Sequence, residues 1–462
     1  MMGHNHQHPP RVKHFRRLKC VIASFFGVTI VTCVIYRPDK SNRAMAKPQT
    51  PSNLTLIQQC QRQAPQGGKL SLVAVDRMKT LLVSAYQEHR TEQKEVRVIA
   101  AVLRDETVAY QCIFCCQHGL HVSEGVRKIH DDHFGFVYGT ADIMCPLPSG
   151  CETPSHITVT SASATSEDKD KSDQKFVEVM NQKEKSDSFP YDFTVCISTM
   201  FDFTNVLQLV QSLEMLQLLG VNRVVIYKTS CNHEIQRILD YYTHTGLVEV
   251  LPWRMSSYLN VSRSWLPEHG PGDLHYFGQI PALNDCLYRY MYQSKYVALQ
   301  DIDELILPQS VNSWLELLPV LEKKYGVDQC YMFENNVFPH DVEVSQPTSC
   351  CPGWESVSGV NILAHLHCEP NTADTQYSNF KTIVNPRAVF TATVHGLLDQ
   401  QKGCSWVDRN IARMYHTRAA KRPELKPDQL IYDDRLLSYS KKLKLAVNAV
   451  LRKSGFLPNI QL

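Results

Sequence analysis

The sequence lacks an excess of charge of either sign, because 48 lysine and arginine residues face 46 aspartate and glutamate residues. A formal net charge of +2 over 462 residues excludes a global attraction to nucleic acid or to acidic lipid. The chain also lacks the composition of a disordered protein, since 43% of its residues are hydrophobic. It is long enough for at least one large core and for two or three domains.

The sequence has a single long apolar run and no second one. Residues 20–36 carry no charge, and a helix of that length is roughly as long as a hydrocarbon core is thick. The five basic residues within residues 11–19 favour a cytoplasmic position for the preceding segment. A cleaved signal peptide is the alternative, but the run is long for a signal core and no small-x-small site follows it. We expect a cytosolic tail over residues 1–19, a transmembrane signal anchor over residues 20–36, and lumenal exposure of residues 37–462.

A complete zinc motif is also missing. Cys112-x-x-Cys115-Cys116 has half of the required ligands, but no second pair with suitable spacing follows it. Two of the 16 cysteines, Cys20 and Cys33, fall in the apolar run, which leaves 14 beyond it. An even number of cysteines on the lumenal side favours disulfide bonds over zinc.

The rest of the chain divides by composition. Proline-rich residues 37–68 predict a flexible stem. Residues 69–160 alternate short apolar runs with polar turns, which is typical of a small β-rich accessory domain. Residues 161–189 are rich in serine, lysine and aspartate and predict a flexible linker. A second, larger domain follows over residues 190–445.

This larger domain has the alternating pattern of an α/β protein. Residues 193–199, 223–227 and 247–251 read as buried strands, and residues 205–219 and 233–242 have the apolar spacing of helices. The order βαβαβ implies a parallel sheet with right-handed crossovers. Such sheets bind ligands beyond the carboxyl ends of their strands.

A further predicted strand, residues 296–300, runs directly into the acidic cluster Asp301-Ile-Asp-Glu. Asp301 and Asp303 there repel each other and lose hydration, and a cation removes both costs. Hard oxygen ligands select Mg²⁺ or Mn²⁺, and a nucleotide diphosphate would complete the coordination shell. The alternative is a surface acidic turn, which is how we interpret the other Asp-x-Asp triplet at residues 168–170 of the charged linker. We predict Asp301 and Asp303 as metal ligands.

Segments further along the chain carry additional candidates. His395 is a candidate neutral nitrogen ligand for the same cation. Lys381 and Arg418 are candidates for binding phosphate groups. Taken alone, each of these residues has an ordinary structural explanation, such as a satisfied core histidine.

Together these segments resemble glycosyltransferase family 92. The resemblance lies in residues 193–197, 219–227, 296–308, 381–386, 394–395 and 416–418. It implies a GT-A type, Rossmann-like catalytic domain over residues 190–445 that uses Mn²⁺ or Mg²⁺. It further implies substrate-binding roles for Lys381, His416 and Arg418, and a single-pass type II location in the Golgi membrane. The implied reaction transfers galactose from UDP-galactose, with inversion and in β1,4 linkage, onto a glycan acceptor of a glycoprotein or glycolipid.

An inverting transfer needs a base to accept the proton of the acceptor hydroxyl. Glu334 follows a predicted strand and is our candidate, with Asp408 as an alternative. A phosphoesterase or nucleotidyltransferase would use similar carboxylates, but it would show further Asp/His pairs at other strand ends. A disulfide-rich cell-surface adhesion or binding protein without catalytic activity would fit residues 70–160 but not the βαβ series.

The predicted topology is testable at the two glycosylation sequons, Asn53 and Asn260, which both follow the apolar run. If residues 37–462 are lumenal, glycosidase treatment will increase the gel mobility of the protein, and Asn260→Gln will remove one glycan. In intact microsomes a C-terminal epitope will be protected from added protease. Digestion of that epitope without detergent would contradict the topology and the disulfide argument with it.

Overall fold

The computed structural model describes residues 60, 70–163, 175–184, 188–343, 353–372 and 376–458. The predicted cytosolic tail and anchor, and all of the predicted stem except Cys60, lie outside these residues. Within the described residues, no helix has both the length and the apolar character needed to cross a membrane.

The accessory region is an eight-stranded sheet. Its strands are β1 (Val73–Ala74), β2 (Thr80–Glu88), β3 (Glu95–Leu103), β4 (Tyr110–Cys116), β5 (Gly119–Ile129), β6 (Tyr138–Pro146), β7 (His156–Ser161) and β8 (Val177–Met180). They lie in the order β1-β2-β3-β6-β5-β4-β7-β8, and a parallel pairing between β8 and β2 closes the sheet on itself. The region is β-rich, as its alternating apolar runs predict.

Strand β8 lies inside the segment that the sequence predicts as a flexible linker. Val177 and Val179 are buried while Glu178 between them is exposed, the alternation of a half-buried strand. Phe176 is also buried, next to the Cys60–Cys115 disulfide. The linker prediction therefore does not hold for residues 176–180, where four large apolar side chains suffice for a strand.

Ten of the described cysteines form five disulfide bonds. The pairs are Cys60–Cys115, Cys112–Cys145, Cys116–Cys151, Cys196–Cys286 and Cys330–Cys404. All three cysteines of the Cys112-x-x-Cys115-Cys116 run are in disulfides, which confirms the disulfide interpretation of that run. Cys231 and Cys368 are free thiols.

The larger domain contains the remaining strands. They are β9 (Tyr191–Met200), β10 (Arg223–Lys228), β11 (Val248–Pro252), β12 (Ser294–Leu299), β13 (Glu304–Pro308), β14 (Cys330–Phe333), β15 (Asn335–Pro339), β16 (His367–Cys368), β17 (Lys381–Val384), β18 (Val389–Thr393), β19 (Gly396–Gln400), β20 (Cys404–Trp406), β21 (Ala412–Arg418) and β22 (Ile431–Tyr432). The main sheet has the order β11-β10-β9-β12-β17-β14-β20, and its first four strands are parallel. A separate three-stranded sheet, in the order β13-β21-β15, carries part of the site.

The larger domain also contains five α-helices among its described residues. They are α1 (Val206–Leu218), α2 (His233–Thr245), α3 (Gln279–Arg289), α4 (Trp314–Tyr325) and α5 (Ser440–Lys453). The side chains of Asn205 and Asn232 cap α1 and α2, and Gly246 ends α2 with a φ of 84°. The order β9-α1-β10-α2-β11 confirms the βαβαβ prediction and a mixed α/β fold.

Helix α3 is packed on both sides. One hydrophobic cluster joins its Leu283 and Leu287 to side chains of β9 and β10 and also to Val83 and Ile99 of the accessory sheet. The accessory sheet and the larger domain therefore share a core and belong to one compact unit.

Polar contacts at this junction are buried as well. Asp285 of α3 accepts hydrogen bonds from the Tyr86 hydroxyl of β2 at 2.7 Å and from Arg289 Nε at 3.0 Å. Arg97 of β3 pairs with Asp142 of β6, and its Nε lies 3.5 Å from Glu88 Oε2. No more than 5% of each of these last three side chains is exposed, so each charge depends on its partners rather than on water.

The Arg97 cluster should contribute measurably to stability. Arg97→Met keeps an unbranched apolar stem but leaves Asp142 and Glu88 buried with one positive charge fewer. We expect the free energy of unfolding to fall by about 3–5 kcal/mol in denaturant titrations. Lys128→Met is the matched control, since it removes a solvent-exposed ion pair, the one between Lys128 and Asp399. Equal stability of the two variants would contradict this account.

Candidate functional site

The acidic cluster forms the turn between β12 and β13. The Asp301 N–H donates to Glu304 Oε2 at 2.7 Å, and the Glu304 N–H donates to the Asp301 carbonyl at 3.2 Å. Ile302 packs into the hydrophobic core. The turn is thus closed by its own glutamate and anchored by its apolar residue, which leaves Asp301 and Asp303 37% and 35% exposed.

A buried lysine balances part of this negative charge. Lys381 on β17 places Nζ 2.8 Å from Asp301 Oδ2 and 3.3 Å from Glu304 Oε2. Burial alone would lower the pKa of Lys381, but the two carboxylates outweigh burial and raise it, so the side chain stays charged. With 3% of its side chain exposed, Lys381 holds the turn in place and does not reach the cavity for the phosphate contact that we predicted.

His416 contacts the turn from the neighbouring sheet. It lies opposite Glu304 in the β13–β21 pairing, with Nε2 3.3 Å from Asp303 Oδ2 and Nδ1 3.6 Å from Glu304 Oε1. Burial acts to lower the pKa of His416, but Glu304 and Asp303 reverse this effect and raise it. Burial raises the pKa of Glu304 to about 7, and Asp301 and Asp303 act in the same direction. The turn therefore favours additional positive charge.

These side chains face a cavity of about 750 Å³. Its walls come from the end of β9, from the turn between β12 and β13, from β21, from the first turns of α1 and α3, and from several loops. The lining residues are Phe134, Ile197, Thr199, Met200, Phe201, Phe203, Gln208, Trp265, Tyr276, Gln279, Asp301, Ile302, Asp303, Glu304, Asn379, His395, His416, Arg418 and Ala419. The volume lies within the usual range for a small-molecule site.

Five of the predicted site residues line this one cavity: Asp301, Asp303, His395, His416 and Arg418. Arg418 is exposed at the end of β21, and no ion pair joins it to a carboxylate in the described part of the chain. Its guanidinium is thus available to an anionic ligand.

The two candidate bases are not brought to the cavity. Glu334 is 4% exposed, and its carboxylate accepts a hydrogen bond from Asn371 Nδ2 at 2.6 Å. Asp408 lies on the surface, 3.4 Å from Lys324 Nζ. Neither side chain lines the cavity, so neither is placed to accept a proton there.

The donor atoms in the cavity suit a cation, but they are not gathered into a complete ligand set. Within the described residues, no group of three or more histidine, cysteine, aspartate or glutamate side chains is arranged to hold a metal ion. Asp303 Oδ2 and His416 Nε2 are 3.3 Å apart, close to the roughly 3 Å between adjacent ligands of an ion with bonds of about 2.1 Å. The metal-ligand roles of Asp301, Asp303 and His395 stay predictions.

His395 is neutral in this environment. Burial, with a smaller effect from Lys381, lowers its pKa to about 4. Its Nδ1 lies 3.3 Å from the Phe380 carbonyl, which can only accept a hydrogen bond. The proton therefore lies on Nδ1 in this contact, and Nε2 keeps a lone pair suited to a metal or a hydroxyl group.

The aromatic side chains of the cavity were missed by the sequence analysis. Phe201 and Phe203 directly follow β9, so the rule that ligands bind beyond strand ends would have identified them. Trp265 and Tyr276 lie in a segment without helical or strand periodicity. Phe134 belongs to the accessory region, and nothing in the sequence links it to the acidic turn.

Comparison with known proteins identifies the family. Residues 191–445, more than half of the chain, match the family described as glycosyltransferase family 92. A glycosyltransferase family 92 protein of Caenorhabditis elegans is 29% identical over 128 residues. That alignment covers 28% of this chain and 25% of the relative, so the chain matches about a quarter of that protein's length.

Among solved structures, glucosyl-3-phosphoglycerate synthase from Mycobacterium tuberculosis, in complex with Mn²⁺, UDP and glucosyl-3-phosphoglycerate, aligns with 12% identity and a TM-score of 0.24. The alignment covers 58% of this chain and 82% of the synthase. A structure described as a mycobacterial protein aligns with 13% identity, 58% and 76% coverage and a TM-score of 0.23. Because structural similarity this low does not identify a family, the assignment rests on the sequence match over residues 191–445. The chain belongs to glycosyltransferase family 92.

Proposed function

We propose that the protein transfers a hexose from a UDP-sugar donor to a glycan acceptor in the 750 Å³ cavity. The observation that carries this proposal is the Asp301-Ile-Asp-Glu turn, which opens into that cavity at the carboxyl end of a central parallel strand. The family resemblance supports galactose as the sugar and an inverting β1,4 transfer. The acceptor is then a glycan of a glycoprotein or glycolipid.

A divalent cation, Mn²⁺ or Mg²⁺, fits the acidic turn. Asp303 and His416 would hold it, with Asp301 beside them and His395 as a further candidate ligand. When bound, such a cation would neutralise charge on the leaving diphosphate. Glu304 and Asp303 already raise the pKa of His416, which supports a preference for positive charge at this point; the cation would replace the imidazole proton there.

The phosphate groups of the donor require a second positive contact. Arg418 supplies it, because its guanidinium is exposed, lines the cavity and can bind a phosphate through two parallel hydrogen bonds. Lys381 supports the phosphate site indirectly by fixing Asp301.

The nucleoside fits beside the carboxyl end of β9. Thr199, Phe201 and Phe203 line the cavity there, and ligands of parallel sheets bind at such strand ends. Phe201 and Phe203 are half-buried, so their rings can cover a planar base without prior rearrangement.

The disulfides support a reaction in an oxidising compartment. Five bonds form within residues 60–404, and such bonds are rare in cytosolic proteins. We therefore propose a lumenal catalytic domain, in the Golgi, on a type II membrane protein anchored by residues 20–36.

The role of the turn is tested by Asp303→Asn, which preserves size but removes the charge that attracts the cation. We expect transfer from UDP-galactose in the presence of Mn²⁺ to fall at least about 100-fold, since the lost interaction acts on developing charge. The melting temperature should change little, because Asp303 is partly exposed and asparagine keeps an oxygen that can accept the hydrogen bond from His416.

Asp168→Asn, in the charged segment at residues 168–170, is the control and should retain full activity. Normal transfer by Asp303→Asn, or its failure to fold, would show that the turn is structural and remove the main support for the proposed reaction.

The role of Arg418 is tested through donor binding. Arg418→Ala should raise the KM for the UDP-sugar by about 10- to 100-fold, the effect of losing a hydrogen-bonded charge. Arg254→Ala is the control, since Arg254 is exposed but does not line the cavity. A donor KM that is unchanged in Arg418→Ala, measured by UDP release, would exclude the phosphate contact.

A further inference from the structure

One wall of the catalytic cavity comes from the accessory sheet. The connection between β5 and β6, residues 130–137, carries Phe134, which lines the cavity. The other described lining residues all lie between Ile197 and Ala419, in the larger domain. A region that sequence analysis separates from the catalytic domain therefore contributes to its site.

Contacts on both sides hold this connection in place. The Tyr138 N–H donates to the Asp273 carbonyl at 2.9 Å, next to the segment that carries Tyr276. The hydroxyl of Thr393, which lies two residues before His395, donates a hydrogen bond to Asp132 Oδ2. The connection is thus attached to both chain segments that complete the cavity wall.

The backbone of Phe134 is strained, with a φ of 53°. A bulky side chain is unfavourable in this left-handed region, and such strain persists where surrounding contacts enforce it. Strained residues of this kind cluster at ligand-binding sites. The position of the Phe134 ring is therefore determined by its environment and not by local backbone preference.

The Phe134 ring belongs to an aromatic cluster. It stacks on His275 with ring centres 4.2 Å apart and meets Trp265 edge-on at 5.7 Å. His275 is 2% exposed, and both of its ring nitrogens lack hydrogen-bond partners among the described residues. Burial lowers its pKa to about 4, so His275 is a neutral, flat support for Phe134.

The cavity has two aromatic groups with Tyr276 between them. The Tyr276 ring lies 5.4 Å from Phe201, at the end of β9, and also 5.4 Å from Trp265. The proposed nucleoside site occupies the Phe201 side. The Phe134 and Trp265 side is left for the other substrate of the reaction.

We propose that Phe134 and Trp265 form a subsite for a pyranose ring of the acceptor glycan. A pyranose has a face of C–H bonds and an edge of hydroxyl groups, and aromatic rings pack against the first while polar groups bind the second. When Asp303 and His416 hold the cation, the Nε2 of His395, whose ring stacks on Trp265 at 5.5 Å, is left for a hydroxyl group. This inference rests on the proposed function, and it makes the accessory region a determinant of acceptor choice.

The test variant is Phe134→Asn, which removes the ring while asparagine tolerates the left-handed backbone. We expect an approximately tenfold rise in acceptor KM, equal to about 1.4 kcal/mol. The KM for UDP-galactose and the rate of its hydrolysis by water should stay unchanged. Phe134→Tyr should restore acceptor KM, and Val137→Ala, in the same connection but outside the cavity, should match the wild type. Unchanged acceptor KM in Phe134→Asn, or an equal rise in donor KM, would overturn the subsite.

Direct binding separates this inference from the transferase assignment. Saturation-transfer NMR on the full-length protein, with a panel of hexosides, deoxyhexosides and N-acetylhexosaminides, reports the pyranose protons that contact the protein. Binding by the wild type that is lost in Phe134→Asn supports the subsite even if no UDP-sugar is transferred, an outcome in which the proposed function fails and the subsite stands. If transfer persists while no pyranoside contacts the protein through Phe134, the subsite fails and the proposed function stands.

Discussion

The burial of α3 between two sheets is the constraint on which the rest of this structure depends. One side of the helix packs on β9 and β10, and the other side packs on β2 and β3 of the accessory sheet. Asp285 accepts hydrogen bonds from Tyr86 on one sheet and from Tyr227 on the other. Because such a buried charge is tolerated only when its partners are in place, the two sheets are fixed to each other through α3. The accessory connection that carries Phe134 is positioned by the same packing.

The acidic turn also contains a buried carboxylate that is held by its partners. Of its three carboxylates, Glu304 is buried and is neutralised in part by Lys381 and His416. Asp301 and Asp303 remain partly exposed to the cavity. The turn therefore uses one acidic residue to hold its own backbone and leaves two for a ligand. Position in the motif alone would not distinguish these roles, which follow from exposure and hydrogen bonding.

The hydrophobic pattern of the sequence predicted those strands and helices that are determined by neighbouring residues. The strands β9 to β12 and the helices α1 and α2 occur at nearly the predicted positions, because parallel strands are continuous apolar runs and helices show a clear period. The strand end before Asp301 followed from that order. The structural role of Lys381 did not, because it depends on the antiparallel pairing of β17 with β12, which brings together residues 80 positions apart. Phe134 and β8 were missed for the same reason, since long-range pairing and packing leave little trace in neighbouring residues.

The shared core also sets the order in which the chain can fold. Tyr86 and Asp285 are 199 residues apart, so the accessory sheet is synthesised long before the helix that covers it. At about 5–20 residues per second, the interval is roughly 10–40 s. During that time the apolar side of β2 and β3 that later meets α3 has no partner from the larger domain, and such exposed surface is what chaperones bind. Maturation of this protein is therefore expected to depend on folding assistance in the compartment where its disulfides form.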